Sequence, residues 1–183
     1  MAVPEEVALA GTGAVMRRYR RTDLDRLQTA IEASREHLRP FMVWADQPRA
    51  DTERFLAEAV ADWDAGRNFN YVLVDDADQS VLGAGGLHRR GESDVLEIGY
   101  WRRVDAGRRG LVTTMARALT DIGLAQPGVA RVEIHCDVSN TASAAVPQRL
   151  GYDLIGVIDK EPVAPAESGH HQVWSTVPPP IPA

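Results

Sequence analysis

The sequence predicts an α/β (α+β) domain with a mixed, mainly antiparallel sheet of six to seven strands flanked by about four helices. Three observations carry this expectation. Seven short β-rich runs, at 15–19, 70–74, 81–87, 95–101, 132–136, 153–158 and 172–177, are interleaved with four helical periodicities. Three of those runs, between 70 and 101, follow one another through short polar turns, as in antiparallel hairpins. A single strand–helix–strand crossover spans 95–137, with a glycine–arginine turn between its first strand and its helix.

Taken in order, residues 1–13 lack a period, end in Gly11-Thr12-Gly13 and read as a flexible arm. The strand at 15–19 leads to Thr22, a suitable N-cap, with Asp23 and Asp25 in the first turn of a helix. Leu24, Leu27 and Ile31 recur at helical spacing until Pro40 closes the segment. Phe41-Met42-Val43-Trp44 is too apolar for a solvent loop and serves either the core or a pocket wall. A second helix begins near Asp51, with Phe55, Leu56, Ala59, Val60 and Trp63 on one face, and stops near Gly66. Asp75 to Ser80 and Arg90-Gly91-Glu92-Ser93 are the turns of the hairpins. Gly83, Gly85 and Gly86 weaken the middle strand unless something packs closely against it.

After the crossover turn, Leu111, Met115, Leu119 and Ile122 form a helix face that ends at Pro127-Gly128. Val132, Ile134 and Cys136 alternate with Glu133, His135 and Asp137, as in a strand. A helix follows Asn140, and two closing strands flank a loop at 161–171 that includes His170-His171. Residues 178–183 are a proline-rich tail. The single domain is expected at 14–177.

Composition excludes several classes. The 183 residues contain 44% apolar and 25% charged residues, ordinary for a globular chain, and a net charge of −6 argues against nucleic-acid binding. One cysteine, Cys136, forms no internal disulfide, and no metal-ligand spacing occurs, so no metal is expected and a cytoplasmic setting is the default. Neither a signal peptide nor a membrane span is read in the sequence.

The turn at 107–112 is the place with the clearest chemistry. Glycines let backbone N–H groups approach a ligand, and the first turn of the helix that follows adds unpaired donors and the positive end of its dipole. Such a place suits a phosphate, with Arg108 and Arg109 adding charge. A strand-to-helix turn with solvated arginines is the alternative.

Several motifs together resemble the GNAT superfamily of N-acetyltransferases, within it the RimJ/RimL-type group. They are Glu97-Ile98-Gly99-Tyr100-Trp101, Gly110-Leu111-Val112-Thr113, Asn140-x-x-Ser143 with Leu150-Gly151-Tyr152, and Glu36-His37-Leu38-Arg39-Pro40-Phe41-Met42. The likeness runs from Met16 to about residue 177. It implies a sheet whose central strands splay, with acetyl-CoA as cosubstrate, its pyrophosphate on the loop amides and its pantetheine along the strand ending at 101–103. The residues implied to bind acetyl-CoA are Trp101, Arg102, Arg103, Arg108, Arg109, Gly110, Leu111, Val112, Thr113 and Asn140. The family loop usually begins with Gln or Arg where this chain has Gly107, and carries Gly or Ala at the place of Val112.

Acetyl transfer to an amine needs a deprotonated nucleophile and a proton donor for the departing thiolate. Many GNAT members place a tyrosine seven residues after the asparagine; here that position is Pro147. Ser143 is the remaining hydroxyl, and the resemblance assigns it a role near the sulfur. Pro147 also lacks the N–H that would bond the Ser143 carbonyl in a regular helix. Glu97, on one strand face with Gly99 and Trp101, is the expected general base, directly or through water, with Glu133 as its rival. Phe41, Trp44 and His88 are the candidate substrate-binding residues.

The expected activity is acetyl transfer from acetyl-CoA to a primary amine, for which the resemblance favours a protein N-terminal α-amino group. A small amine (antibiotic, polyamine or amino-acid derivative) is the alternative acceptor, and a non-catalytic acyl-CoA-binding module is the reading from another class. The resemblance also allows a homodimer.

Overall fold

The structure is a computed structural model that describes residues 2–90, 94–107 and 109–176. Its strands are β1 (Glu6–Leu9), β2 (Ala14–Arg18), β3 (Phe69–Asp75), β4 (Val81–Arg89), β5 (Val95–Arg102), β6 (Arg131–Asp137), β7 (Asp153–Asp159) and β8 (His170–Ser175). Its helices are α1 (Leu24–Leu38), α2 (Arg49–Asp64), α3 (Leu111–Leu124) and α4 (Thr141–Leu150). The strands form one eight-stranded sheet in the order β1-β2-β3-β4-β5-β6-β8-β7. Every neighbouring pair is antiparallel except β5 and β6. These two are joined through α3, the crossover that parallel strands require.

Each face of the sheet buries its own core. On one face Leu27, Ile31, Leu56 and Ala59 of α1 and α2 meet Val72, Val74 and Ala84. On the other, Leu111, Met115 and Leu119 of α3 meet Leu73, Leu87, Leu96, Ile98 and Ile134. Of the middle-strand glycines, Gly85 is explained by this second packing and Gly83 by the neighbouring strand. A Cβ at Gly85 would lie 2.9 Å from Met115 Cε and 3.1 Å from the Gly99 carbonyl oxygen. At Gly83 it would lie 2.4 Å from the Trp101 carbonyl oxygen, so only glycine lets β4 and β5 run this close there.

Three expectations change. Within the segment 1–13, read as a loose arm, Glu6–Leu9 pairs with β2 as an edge strand, a fourth-residue-long run too short to show alternation. Thr22 is not the cap of α1: residues Arg21–Asp23 form a 3-10 turn, and Asp23 is buried in an ion pair with Arg17 at 2.7 Å. Asp23 also accepts from the Arg20 backbone N–H at 2.7 Å, which caps the 3-10 turn, and Asp23 itself stands at the N-cap of α1 without a side-chain bond to it. On α2 the buried stripe is Thr52, Leu56, Ala59 and Trp63, while Phe55 and Val60 lie off it. The turn at 91–93 and the tail at 178–183 lie outside the described residues.

Candidate active site

The decisive feature is where the parallel ladder stops. β5 and β6 pair only at Val95↔Arg131, Leu96↔Val132 and Glu97↔Glu133. β5 nevertheless continues to Arg102 and β6 to Asp137, so the strands part after Glu97 and leave facing backbone edges open. β5 keeps its β4 partner from Leu96 to Arg102, so it stays in the sheet where its edge toward β6 is open.

The turn beyond β5 ends beside this gap. Gly107 and Gly110 both have left-handed backbone, φ 78° and 69°, which places Gly110 as the N-cap of α3. The first intrahelical bond runs from the Thr114 N–H to the Gly110 carbonyl. The N–H groups of Leu111, Val112 and Thr113 are therefore free of helical partners and stand at the positive end of the dipole. Leu111 is buried, which anchors this end in the core.

The arginines do something other than expected. Arg109, read as a direct anion contact, sends its guanidinium back to the Thr12 carbonyl at 3.1 Å and to Asp75 at 3.4 Å. Arg102 donates to the carbonyls of Arg103, Val104 and Gly107. Arg103 donates to Asp105 and to the Val81 carbonyl. These side chains brace the turn by donating to main-chain carbonyls in and around it. Arg108 lies outside the described residues.

On the α1–α2 face, a cleft of about 530 Å³ opens over β4 and β5, walled by Met42, Trp44, Phe55, His88 and Trp101. Trp44 and Trp101 meet edge to face with ring centres 5.6 Å apart. The side chain of Trp101 thus faces the cleft, and its backbone faces the open edge. Of the expected substrate contacts, Trp44 and His88 line the cleft; Phe41 does not, because the chain turns after α1 and presents Met42 and Trp44 instead. The His88 ring occupies room left by two glycines: a Cβ at Gly86 would lie 3.1 Å from its Nε2 and one at Gly99 3.6 Å. Burial, and then the charge of Arg90, push its pKa down, so the ring is neutral at pH 7.

Glu97 is half-buried on this same face, 3.7 Å from Arg90 and 3.9 Å from His135. Its rival Glu133 is more tightly held, by Arg131 and His135 at 2.8 Å each. Burial alone would raise the Glu133 pKa, but these partners outweigh it and lower it. At the end of β6, Asp137 accepts from Ser139 N–H, from Ser168 N–H and Oγ, and from Gly169 N–H. Burial opposes its charge, yet the hydrogen bonds prevail and hold the pKa at about 2. Asp137 thereby fixes the loop before β8, whose Ala166 N–H reaches the Pro40 carbonyl just beyond the end of α1. His171 is buried behind this loop, 3.8 Å from Asp137 and from Glu167, whereas His170 is exposed and paired with Asp159.

On the opposite face, Asn140 caps α4 by accepting from Ser143 N–H at 3.1 Å, which puts Ser143 on the first turn. The Tyr100 hydroxyl reaches this turn from β5 and donates to the Ser143 carbonyl at 3.0 Å, with Ser143 Oγ 3.2 Å away. Sequence reasoning did not single out Tyr100. Its signal was present in two pieces: period-2 counting turns it away from Glu97, and the proline at 147 announces a carbonyl in need of a donor.

A family model described as the acetyltransferase (GNAT) domain matches residues 14–153. The chain is a GNAT acetyltransferase. This acetyltransferase is 29% identical over 136 residues to YdaF of Bacillus subtilis (strain 168), a protein provisionally described as a ribosomal N-acetyltransferase; the match covers 71% of this chain and 72% of YdaF. Among solved structures it is similar to RimL, a ribosomal L7/L12 α-N-protein acetyltransferase in complex with coenzyme A, with TM-score 0.84 and 16% identity over 95% of this chain and 98% of that one. It is also similar to the microcin C7 self-immunity acetyltransferase MccE in complex with acetyl-CoA and AMP, with TM-score 0.81 and 19% identity over 92% and 98% of the two chains. At such identities these two likenesses establish the fold. Among the described residues no helix is long and apolar enough to cross a membrane, and no group of three or more His, Cys, Asp or Glu is arranged to hold a metal ion.

Proposed function

We propose that this acetyltransferase moves an acetyl group from acetyl-CoA to a protein N-terminal α-amino group. The observation that carries the donor half is the three-pair ladder between β5 and β6, which opens into a gap with the free amides of α3 at one end. Those amides suit a pyrophosphate, and the unpaired edge of β5 suits the amide groups of pantetheine. Asn140 stands at the far side of the gap.

The acceptor half rests on the cleft over β4 and β5 and on kinship with YdaF. An incoming α-amine enters the cleft beside Trp44 and Trp101 and meets the neutral ring of His88, whose ladder partner on β5 is Glu97. The Glu97 carboxylate attracts the ammonium and accepts the proton it gives up, through the neighbouring imidazole or a water. On the other side of β5, the Ser143 hydroxyl donates to the thiolate as it departs. Nucleophile activation and leaving-group stabilisation are thus separated by one strand.

The test is to incubate the protein with acetyl-CoA and a panel of peptides differing at their first residue, reading thiol release and the site of acetylation by mass spectrometry. Acetylation confined to α-amines supports the reading. Acetylation of free amino acids, polyamines or aminoacyl nucleotides in its place supports a small-molecule acceptor. Coenzyme binding without thiol release toward any amine overturns both.

A further inference from the structure

We infer that Tyr100 is a positioning residue for Ser143, made necessary by the proline at 147; the inference rests on the proposed role of Ser143 at the leaving group. In a regular helix the Ser143 carbonyl would accept from the N–H of residue 147. Proline has no N–H, and its ring pushes against the carbonyl four residues back. Pro147 is buried within α4 and Ser143 is half-buried, so a carbonyl left unpaired there is costly.

The Tyr100 hydroxyl supplies the donor. Its single proton goes to the Ser143 carbonyl at 3.0 Å, an atom that only accepts. Its oxygen accepts from Ser143 Oγ at 3.2 Å while no sulfur is present; when the thioester is bound the serine turns that one proton to the sulfur, and the bond to its carbonyl stays to hold the residue in place. Burial pushes the Tyr100 pKa far above its usual value, and the group therefore remains a donor throughout any practical assay range. The strand that ends its ladder with β6 at Glu97 is in this way tied, three residues later, to the helix beyond β6. The tie spans the gap from beneath. A regular α4 would hold Ser143 by its own ladder and would need no such strut.

The experiment combines Tyr100→Phe, Pro147→Ala and Ser143→Ala in the full chain. Tyr100→Phe keeps the ring and removes the hydroxyl; it is expected to lower kcat about tenfold, the size of one lost hydrogen bond at a reacting group, with KM for acetyl-CoA within about twofold. Adding Pro147→Ala restores a backbone donor to the Ser143 carbonyl and is expected to recover at least about threefold of kcat over Tyr100→Phe alone. In the Ser143→Ala background the Tyr100→Phe change is expected to leave the residual kcat within about twofold, since nothing remains to be positioned. A Tyr100→Phe enzyme with unchanged kcat, a double variant no faster than Tyr100→Phe, or an equal loss with and without the serine each overturns the inference. Ser143→Ala with full activity removes the underlying reading instead, so the two failures are distinct.

Discussion

The two faces of β5 solve opposite problems with alternate residues of one strand. Toward α1 and α2 it presents Gly99 and Trp101 to an open cleft, and Glu97, on the same face, to Arg90 and His135. Toward α3 and α4 it presents Leu96, Ile98 and Tyr100 to a closed core in which a few hydroxyls are hydrogen-bonded to one another. The open face can admit an acceptor and carry its proton away; the closed face can hold a hydroxyl against a sulfur without admitting water. A strand with a period of two delivers both from neighbouring positions, but only where its ladder to β6 has ended.

The comparison is broken most directly on the closed face. Ser143→Ala is expected to lower kcat by roughly 100-fold with KM for the acceptor unchanged, the loss typical of a group acting on the leaving atom. Steady-state kinetics with a saturating peptide checks it, and a change confined to KM would move Ser143 out of the chemistry.

At the end of β6, Asp137 is expected to act on stability. Its folded pKa of about 2 lies below the reference value of 3.8, so the folded protein holds the charged form more strongly than the unfolded chain does. That contribution, on the order of 2 kcal/mol, is complete above about pH 4 and is lost as pH falls through 2. Asp137→Asn should lower the melting temperature at pH 7 and flatten the acid limb of a Tm-against-pH curve. An acid limb identical to that of the parent would show that the hydrogen bonds seen here add nothing.

A smaller effect is expected at Glu97, where Glu97→Gln removes charge from the open face and should lower kcat/KM about tenfold at pH 7 while sparing acetyl-CoA binding measured by calorimetry. Smaller still, Trp44→Ala should raise the acceptor KM about threefold to tenfold, the worth of one aromatic pair, and leave kcat nearly unchanged. If Trp44→Ala altered the donor KM instead, the two faces would not be independent.

The fold was legible because its strands and helices are short, alternating or periodic, and separated by proline and glycine. The crossover at 95–137 and the turn at 107–110 are readable as chemistry because glycines there have one good use. What the sequence hid depends on distance along the chain. Arg109 looks like an anion contact until Thr12 and Asp75, far away in sequence, appear beside its guanidinium. Asp23 looks like an ordinary helix-start carboxylate until Arg17 is seen buried against it. Trp44 became a cleft wall because α1 ends where it does, and Tyr100 became a partner of Ser143 through a contact across the parted strands.

The bond from the Ala166 N–H to the Pro40 carbonyl joins two main-chain atoms. Neither side chain takes part in it, so the residues around both ends are free to vary while the loop before β8 stays moored to the end of α1. A lineage could exchange side groups along that seam without first inventing a new way to fasten it.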